Sequence, residues 1–270
     1  MQNNRSITYK NKSIHYNVLG KGSAVVLLHG FGEDGNVWNN LLTALQKKIF
    51  LIVPDLAGSG KSEMLDGDIS MEDHADVIKT ILDKENIKTC VMIGHSMGGY
   101  ITLAFAEKYP GVLNAFGLFH SSAFADDEEK KQTRRKAIDF IKANGAYAFL
   151  RTSIPNLFAG KQHLKEMEDL IEAGKKFSAD ALIQYYHAMI NRPDRTEILK
   201  TFKKPVLFII GEKDNAIPLQ ASLQQCHFPQ VSHVHLLYTG HMGMIEESER
   251  SLVAIESFLQ NILTFYYHFK

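Results

Sequence analysis

The sequence contains only two cysteines, Cys90 and Cys226, among its 270 residues. Two thiols cannot form the disulfide framework of a secreted scaffold, and Cys90 begins an apolar run typical of a buried strand. An excess of charge is also lacking, because 30 Lys and Arg residues balance 30 Asp and Glu residues. Without a net field, the chain has no broad attraction for nucleic acids or anionic membranes, and we expect neither partner.

Long apolar runs are missing as well. The first 20 residues include no apolar stretch of signal-peptide length, and runs such as Ala24–Leu28 and Val206–Ile210 are too short to span a bilayer. These absences predict a cytoplasmic protein without a membrane span. The hydrophobic content of 45% nevertheless suffices for a substantial core, in one large domain or two modest ones.

Short apolar runs bounded by turn residues alternate along the chain with longer stretches of helical period. This alternation predicts an α/β fold, in which helices cover both faces of a mostly parallel sheet. The predicted strands are Ser6–Tyr9 and Ser13–Val18, which form an opening hairpin, then Ala24–Leu28, Phe50–Val53, Cys90–Ile93, Ala115–Phe119, Val206–Ile210 and Val234–Leu237. The predicted helices are Val37–Gln46, Met71–Asp83, Met97–Lys108 and Glu246–Leu263.

The alternation stops between Ser122 and Lys200. Apolar residues recur there at helical spacing, and no strand pattern interrupts them. We therefore predict an all-helical cap, or lid, over residues 122–200. It is inserted into a core domain formed by residues 1–121 and 201–270.

The strongest motif is Gly94–Gly99, with the sequence Gly-His-Ser-Met-Gly-Gly, between a predicted strand and a predicted helix. It fits the G-x-S-x-G pattern of a nucleophile on a sharp strand-to-helix turn. Glycine at positions 94 and 98 would avoid clashes and leave the Ser96 hydroxyl exposed. At a helix N-terminus, Ser96 also lies where partial positive charge favours a developing anion. The alternative is a glycine-rich turn with an incidental serine.

A serine hydroxyl needs a base that takes its proton and an acid that orients the base. His241 is the candidate base, since it lies on a glycine-flanked loop after the last predicted strand, as the order Ser, Asp, His requires. Asp214 is the candidate acid, because it follows a predicted parallel strand at the sheet edge where sites form. The competing acids are Glu212, Asp126 and Asp127.

Acyl transfer also needs backbone N–H donors for the oxyanion. Met97, directly after the candidate nucleophile, supplies one. Phe31, in the loop His29–Gly32 after the first predicted parallel strand, supplies the other. The glycines of this loop would let it lie close to the reacting carbon. A tight strand exit would explain the same glycines.

With these residues in place, the chain resembles the α/β-hydrolase superfamily of esterases, epoxide hydrolases and carbon–carbon hydrolases. The resemblance runs from about Ser6 to the C-terminus. The matching segments are His29–Gly32, Pro54–Ser62, Gly94–Gly99, Gly211–Asp214 and Gly240–His241. It implies an eight-stranded sheet of the α/β-hydrolase fold, with a helical cap above the Ser96, His241 and Asp214 triad. Serine at position 96 argues against haloalkane dehalogenases and epoxide hydrolases, whose displacements use a carboxylate.

We therefore expect a serine hydrolase that cleaves small carboxylic esters through an acyl-enzyme, without a cofactor. Carbon–carbon bond hydrolysis, lactone or amide hydrolysis and acyl transfer could use the same triad. A small-molecule receptor that retains the triad is the non-enzymatic alternative, and turnover would distinguish it.

Several residues are candidates for substrate contact. The cap is rich in large apolar side chains, which favours a small-molecule substrate with an apolar or aromatic group, although the same spacing serves packing. Arg151 and Arg192 could pair with a substrate carboxylate. His120, Phe149 and Tyr185 are the named substrate-binding candidates. We expect no metal site, since His233 and His235 have no obvious partner ligands, and the oligomeric state stays open.

Overall fold

The computed structural model describes residues 3–267, and its centre is one eight-stranded sheet. The strand order is β1-β2-β4-β3-β5-β6-β7-β8. The strands are β1 Asn3–Tyr9, β2 Lys12–Gly20, β3 Ala24–Leu28, β4 Phe50–Pro54, β5 Cys90–His95, β6 Leu113–Phe119, β7 Val206–Gly211 and β8 Ser232–Leu237. β1 and β2 form the antiparallel hairpin, β2 also pairs antiparallel with β4, and the other pairs are parallel. The predicted eight-stranded, mostly parallel sheet is confirmed.

Eleven α-helices connect or follow these strands within residues 3–267. They are α1 Asn39–Leu45, α2 Met71–Lys84, α3 Met97–Lys108, α4 Glu128–Asn144, α5 Ala146–Ser153, α6 Leu164–Ala173, α7 Ala179–Asn191, α8 Thr196–Thr201, α9 Leu219–Gln225, α10 Gly243–Glu246 and α11 Ser248–Tyr267. Within this part of the chain, no helix has the length and apolar content that crossing a membrane requires. The cytoplasmic location stays a prediction.

Two predicted helices begin differently in the structure. The predicted helix over 37–46 starts as a 3-10 turn, Gly35–Trp38, because the Asp34 side chain accepts a hydrogen bond from the Asn36 N–H and caps it. The predicted C-terminal helix is divided into α10 and α11. The Glu246 carboxylate at this division accepts hydrogen bonds from the N–H groups of Gly240 and Met242. The Glu246 carboxylate thus holds the loop that contains His241.

The interior of the sheet explains why β5 can position a reactive group. All six residues of β5 are buried, and the strand lies between β3 and β6. Continuous burial is expected when helices cover both faces of a parallel sheet. The turn after β5 is therefore fixed by packing from both sides of the sheet.

Between β6 and β7 the chain is helical throughout, from α4 to α8. Ser178 caps α7 by accepting a hydrogen bond from the Ala181 N–H, and Asp127 caps α4 in the same way through the Lys130 N–H. This segment is where a cap over 122–200 is predicted. Its boundaries as a separate domain stay a prediction.

Candidate active site

Ser96 forms the turn between β5 and α3, with backbone angles φ +50° and ψ −115°. A positive φ is strained for a residue with a side chain, and such strain persists only where the surroundings enforce it. A Cβ at Gly94 would lie 2.1 Å from the Gly98 carbonyl oxygen, and one at Gly98 would lie 2.5 Å from the Leu28 oxygen. Only glycine fits these two positions, which is the steric reason expected from the motif.

His241 and Asp214 meet at the carboxyl edge of the sheet. His241 Nδ1 lies 2.8 Å from Asp214 Oδ2, and in the tautomer that donates this hydrogen bond Nε2 is the acceptor nitrogen of the ring. The other Asp214 oxygen accepts from the N–H groups of Ala216 and Ile217, at 2.8 and 2.9 Å. Burial raises the pKa of Asp214, but His241 and these hydrogen bonds outweigh it and bring the pKa to about 2.

The competing acids lie elsewhere. Glu212 is exposed, and Asp127 is an exposed helix cap. Asp126 is buried, but it pairs with Arg134 and Arg192 rather than with the histidine. Asp214 is thus the member of this predicted set that contacts His241.

A cavity of about 450 Å³ lies beside the strained turn. Ser96 and His241 both line it, Ser96 directly after β5 and His241 in the loop after β8. Phe31, Phe149 and Tyr186 line it from other sides. The structure therefore brings the predicted nucleophile and base to one cavity, with Asp214 behind the base.

The loop that contains Phe31 lies directly against Ser96. A Cβ placed at Gly30 would be only 3.1 Å from the Ser96 Cβ, so glycine allows this approach. The N–H groups of Phe31 and Met97 have no acceptor among the described residues. Met97 is the first residue of α3, where helical N–H groups are unpaired by geometry. Two free donors thus lie near the candidate nucleophile.

Sequence reasoning missed a buried ion pair beside the triad. His95 Nδ1 lies 3.0 Å from Glu33 Oε2, and His95 Nε2 lies 2.9 Å from the carbonyl oxygen of His241. Because both ring nitrogens face acceptors, the ring must carry both protons to satisfy them. Burial lowers the pKa of His95, but Glu33 raises it above the usual value. Glu33 also accepts the Gly30 N–H at 2.7 Å.

The amino-acid sequence alone does not indicate that Glu33 and His95 form a pair. Glu33 is not among the predicted site residues, and His95 is predicted only as a member of the motif Gly94–Gly99. The two residues are 62 positions apart and meet because β3 and β5 are neighbours in the sheet. Only the strand order reveals the contact.

The three predicted substrate-binding residues have different positions. Phe149 lines the cavity as expected. His120 and Tyr185 are not among the residues that line it. His120 is buried behind Asp214, where it accepts the Gly243 N–H at 3.2 Å. Tyr185 is fully buried and its hydroxyl lies 2.7 Å from the Ala57 carbonyl oxygen.

The two predicted arginines are likewise not among the residues that line this cavity. Arg151 is exposed on α5 and does not line the cavity. Arg192 is buried, and its guanidinium donates to the carbonyl oxygens of Met189 and Phe124 as well as to Asp126. Among the described residues, no group of three His, Cys, Asp or Glu side chains could hold a metal ion.

Comparison with known proteins relates this geometry to a family. Residues 23–136 match the family model described as alpha/beta hydrolase fold. Lipase 1 of Psychrobacter immobilis is 27% identical and covers 83% of this chain and 73% of its own. The 2-hydroxy-6-oxononadienedioate/2-hydroxy-6-oxononatrienedioate hydrolase of Paraburkholderia phymatum is 27% identical, over 88% of this chain and 87% of its own. A thermophilic esterase from Thermogutta terrifontis, solved with malate bound, has a TM-score of 0.89 and 26% identity, over 97% of this chain and 99% of its own.

Proposed function

We propose that this chain, a hydrolase of the α/β-hydrolase fold, is a serine esterase that cleaves small carboxylic esters. One observation carries the proposal. The His241–Asp214 hydrogen bond of 2.8 Å orients the histidine, and His241 lines the same cavity as the strained Ser96. Nucleophile, base and orienting acid are the three parts that acyl transfer from an ester to a serine requires.

The reaction would proceed in two halves. His241 Nε2 takes the hydroxyl proton of Ser96 while Oγ attacks the ester carbonyl carbon. The N–H groups of Phe31 and Met97 stabilise the oxyanion, and the alcohol leaves with the proton from His241. Water, deprotonated by the same nitrogen, then attacks the acyl-serine, releases the carboxylic acid and restores the hydroxyl. Asp214, ionised because of its low pKa, stabilises the protonated histidine in both halves.

The substrate would carry an apolar or aromatic group. The Phe31 ring lies 4.4 Å from the Tyr186 ring and 6.2 Å from the Phe149 ring, centroid to centroid. These three rings form one aromatic wall of the cavity, and aromatic surface favours contact with flat or aliphatic groups. Two of them belong to the helical segment between β6 and β7. We therefore assign residues 122–200 the role of a cap that completes the substrate site.

The test is hydrolysis of p-nitrophenyl esters of increasing chain length by the wild type and three variants. Ser96→Ala and His241→Ala should lower kcat by roughly 10⁴- to 10⁶-fold, and Asp214→Asn by about 10⁴-fold. His187→Ala, which changes an exposed histidine on α7, is the matched control and should hydrolyse at the wild-type rate.

A fluorophosphonate probe tests the nucleophile independently of the substrate. It should label wild-type Ser96 and leave the Ser96→Ala variant unlabelled. Undiminished turnover in Ser96→Ala would contradict the proposed triad. An unlabelled, inactive wild type would overturn the enzyme proposal and favour the receptor alternative.

A further inference from the structure

The cavity lining contains hydrogen-bond donors that the triad does not use, and one of them, the Arg134 guanidinium, lies 5.7 Å from the centroid of the Tyr186 ring. Tyr100 on α3 and Arg134 on α4 both line the cavity. Neither side chain has all of its donors satisfied by the described residues. Buried donors without acceptors are costly, so their presence in a cavity wall points to a ligand that supplies the acceptors.

Arg134 is held in place by one carboxylate and retains free donors. Its Nε–H donates to Asp126 Oδ2 at 2.5 Å, and Nη2 lies 3.4 Å from Oδ1. Arg192 also donates to Asp126 Oδ1, at 2.9 Å. A guanidinium has five N–H donors, and the Arg134 Nη1 group has no acceptor among the described residues. Two cations therefore share one anion, which leaves an excess positive charge at this wall.

Tyr100 lies one helical turn after the candidate nucleophile. It is 3% exposed, and its hydroxyl has no hydrogen-bond partner within residues 3–267. The Arg192 guanidinium lies 3.9 Å from the ring centroid. Burial raises the pKa of Tyr100, but Arg192, Lys130 and Arg134 outweigh it and hold the pKa below its usual value. The hydroxyl thus lies in a positive local field.

Acidic residues that line the same cavity do not cancel this field at the inner wall. Asp127 and Glu129 are exposed, so water screens their charges. Asp127 is further engaged as the N-cap of α4. Glu33, the buried acid of the lining, is paired with His95 beside the triad. Among the described residues, Arg134 pairs with Asp126 and with none of these three carboxylates.

We propose that Arg134 and Tyr100 form a carboxylate subsite, so that the substrates are esters that carry a second, anionic carboxylate group. The subsite rests on the proposed esterase function, since it lines the same cavity as Ser96 and His241. Arg134 Nη1 and the Tyr100 hydroxyl would each donate to one carboxylate oxygen. A charged acceptor satisfies both donors and offsets the excess positive charge, which a neutral group cannot do.

Two pairs of esters test the subsite. Mono-p-nitrophenyl adipate is compared with p-nitrophenyl hexanoate, and carboxyphenyl acetate with phenyl acetate, so that the carboxylate is on the acyl or the alcohol side. The wild type should have the higher kcat/KM for the anionic ester in at least one pair. In Arg134→Met, the ratio of anionic to neutral kcat/KM should fall about 10- to 100-fold, and in Tyr100→Phe about 3- to 10-fold.

Arg135→Met is the matched control, because Arg135 is the next residue of α4 and is exposed. In Arg135→Met, the ratio of anionic to neutral kcat/KM should equal that of the wild type. The fold should survive Arg134→Met because Asp126 keeps its partner Arg192, and thermal unfolding checks this. Tyr100→Phe removes only a hydroxyl and provides an independent measurement.

Equal kcat/KM for both members of each pair in the wild type would overturn the subsite. Equal ratios of anionic to neutral kcat/KM in Arg134→Met and Arg135→Met would also overturn the subsite. In both cases, labelling of Ser96 by the fluorophosphonate probe would leave the esterase proposal intact. Loss of labelling together with loss of all hydrolysis would instead refute the esterase proposal itself.

Discussion

At the scale of single residues, the turn at Ser96 depends on the absence of side chains beside it. A Cβ at Gly94 would lie 2.1 Å from a backbone oxygen of Gly98, which cannot rotate away as a flexible side chain could. We expect Gly94→Ala to abolish ester hydrolysis and to destabilise the fold by about 1–3 kcal/mol. Gly111→Ala is the matched control, since nothing lies within 4 Å of the Cβ position there. Thermal unfolding and p-nitrophenyl ester assays measure both, and equal values for the two variants would contradict this steric argument.

At the scale of elements, one ion pair connects three loops that are distant in sequence. His95 is the last residue of β5, directly before the Ser96 turn, Glu33 follows β3, and the His241 carbonyl belongs to the loop after β8. Through the Gly30 N–H, Glu33 also holds the loop with the Phe31 donor. The pair therefore fixes the nucleophile turn, the oxyanion loop and the base relative to one another.

This connection predicts the effect of Glu33→Gln. Without the carboxylate, the buried His95 ring loses one proton and can donate to only one of its two acceptors. We expect kcat to fall roughly 10- to 100-fold, with a smaller change in KM, because reacting groups shift while the substrate wall remains. Glu197→Gln, at an exposed position on α8, is the control. An unchanged kcat in Glu33→Gln would show that the pair does not position the triad.

At the scale of the whole molecule, stability should depend on pH through the buried His74 of α2. Neither ring nitrogen has a partner among the described residues, and burial lowers the pKa from 6.5 to about 4. The unfolded chain thus binds a proton that the folded chain excludes between these values. Above pH 6.5 His74 therefore does not lower the free energy of unfolding. As the pH falls from 6.5 towards 4, protonation of His74 in the unfolded chain lowers this free energy by up to about 3 kcal/mol.

Urea unfolding at about pH 7.5 and about pH 5 measures this dependence. The loss of unfolding free energy between these values should be smaller in His74→Leu by about 2 kcal/mol. The loss of unfolding free energy should not vanish in the variant, because burial also holds the pKa of His120 well below its usual value. An identical loss in the variant and the wild type would show that His74 is not the acid-sensitive group.

The sheet, its order of elements and the motif at Ser96 could be predicted because they depend on local pattern. Apolar runs and glycine spacing reflect the neighbours of each residue along the chain. The Glu33–His95 pair and the Arg134–Tyr100 wall could not be predicted from the sequence. Each joins elements that only the strand order and the packing of the cap bring together. Tyr185 illustrates the limit. Its hydroxyl lies against Ala57, whereas Tyr186, one position later on α7, faces the cavity.

The two cysteines have a consequence for chemical labelling. Burial raises the pKa of Cys90 to about 12 and that of Cys226 to about 11. At pH 7 only roughly one Cys226 thiol in 10⁴ is a thiolate, and Cys90 has fewer still, so both react slowly with maleimides. A cysteine introduced by Arg151→Cys, on an exposed position of α5, would therefore be labelled selectively without removal of the native thiols. A fluorophore attached there would lie on α5, the helix that contributes Phe149 to the cavity lining.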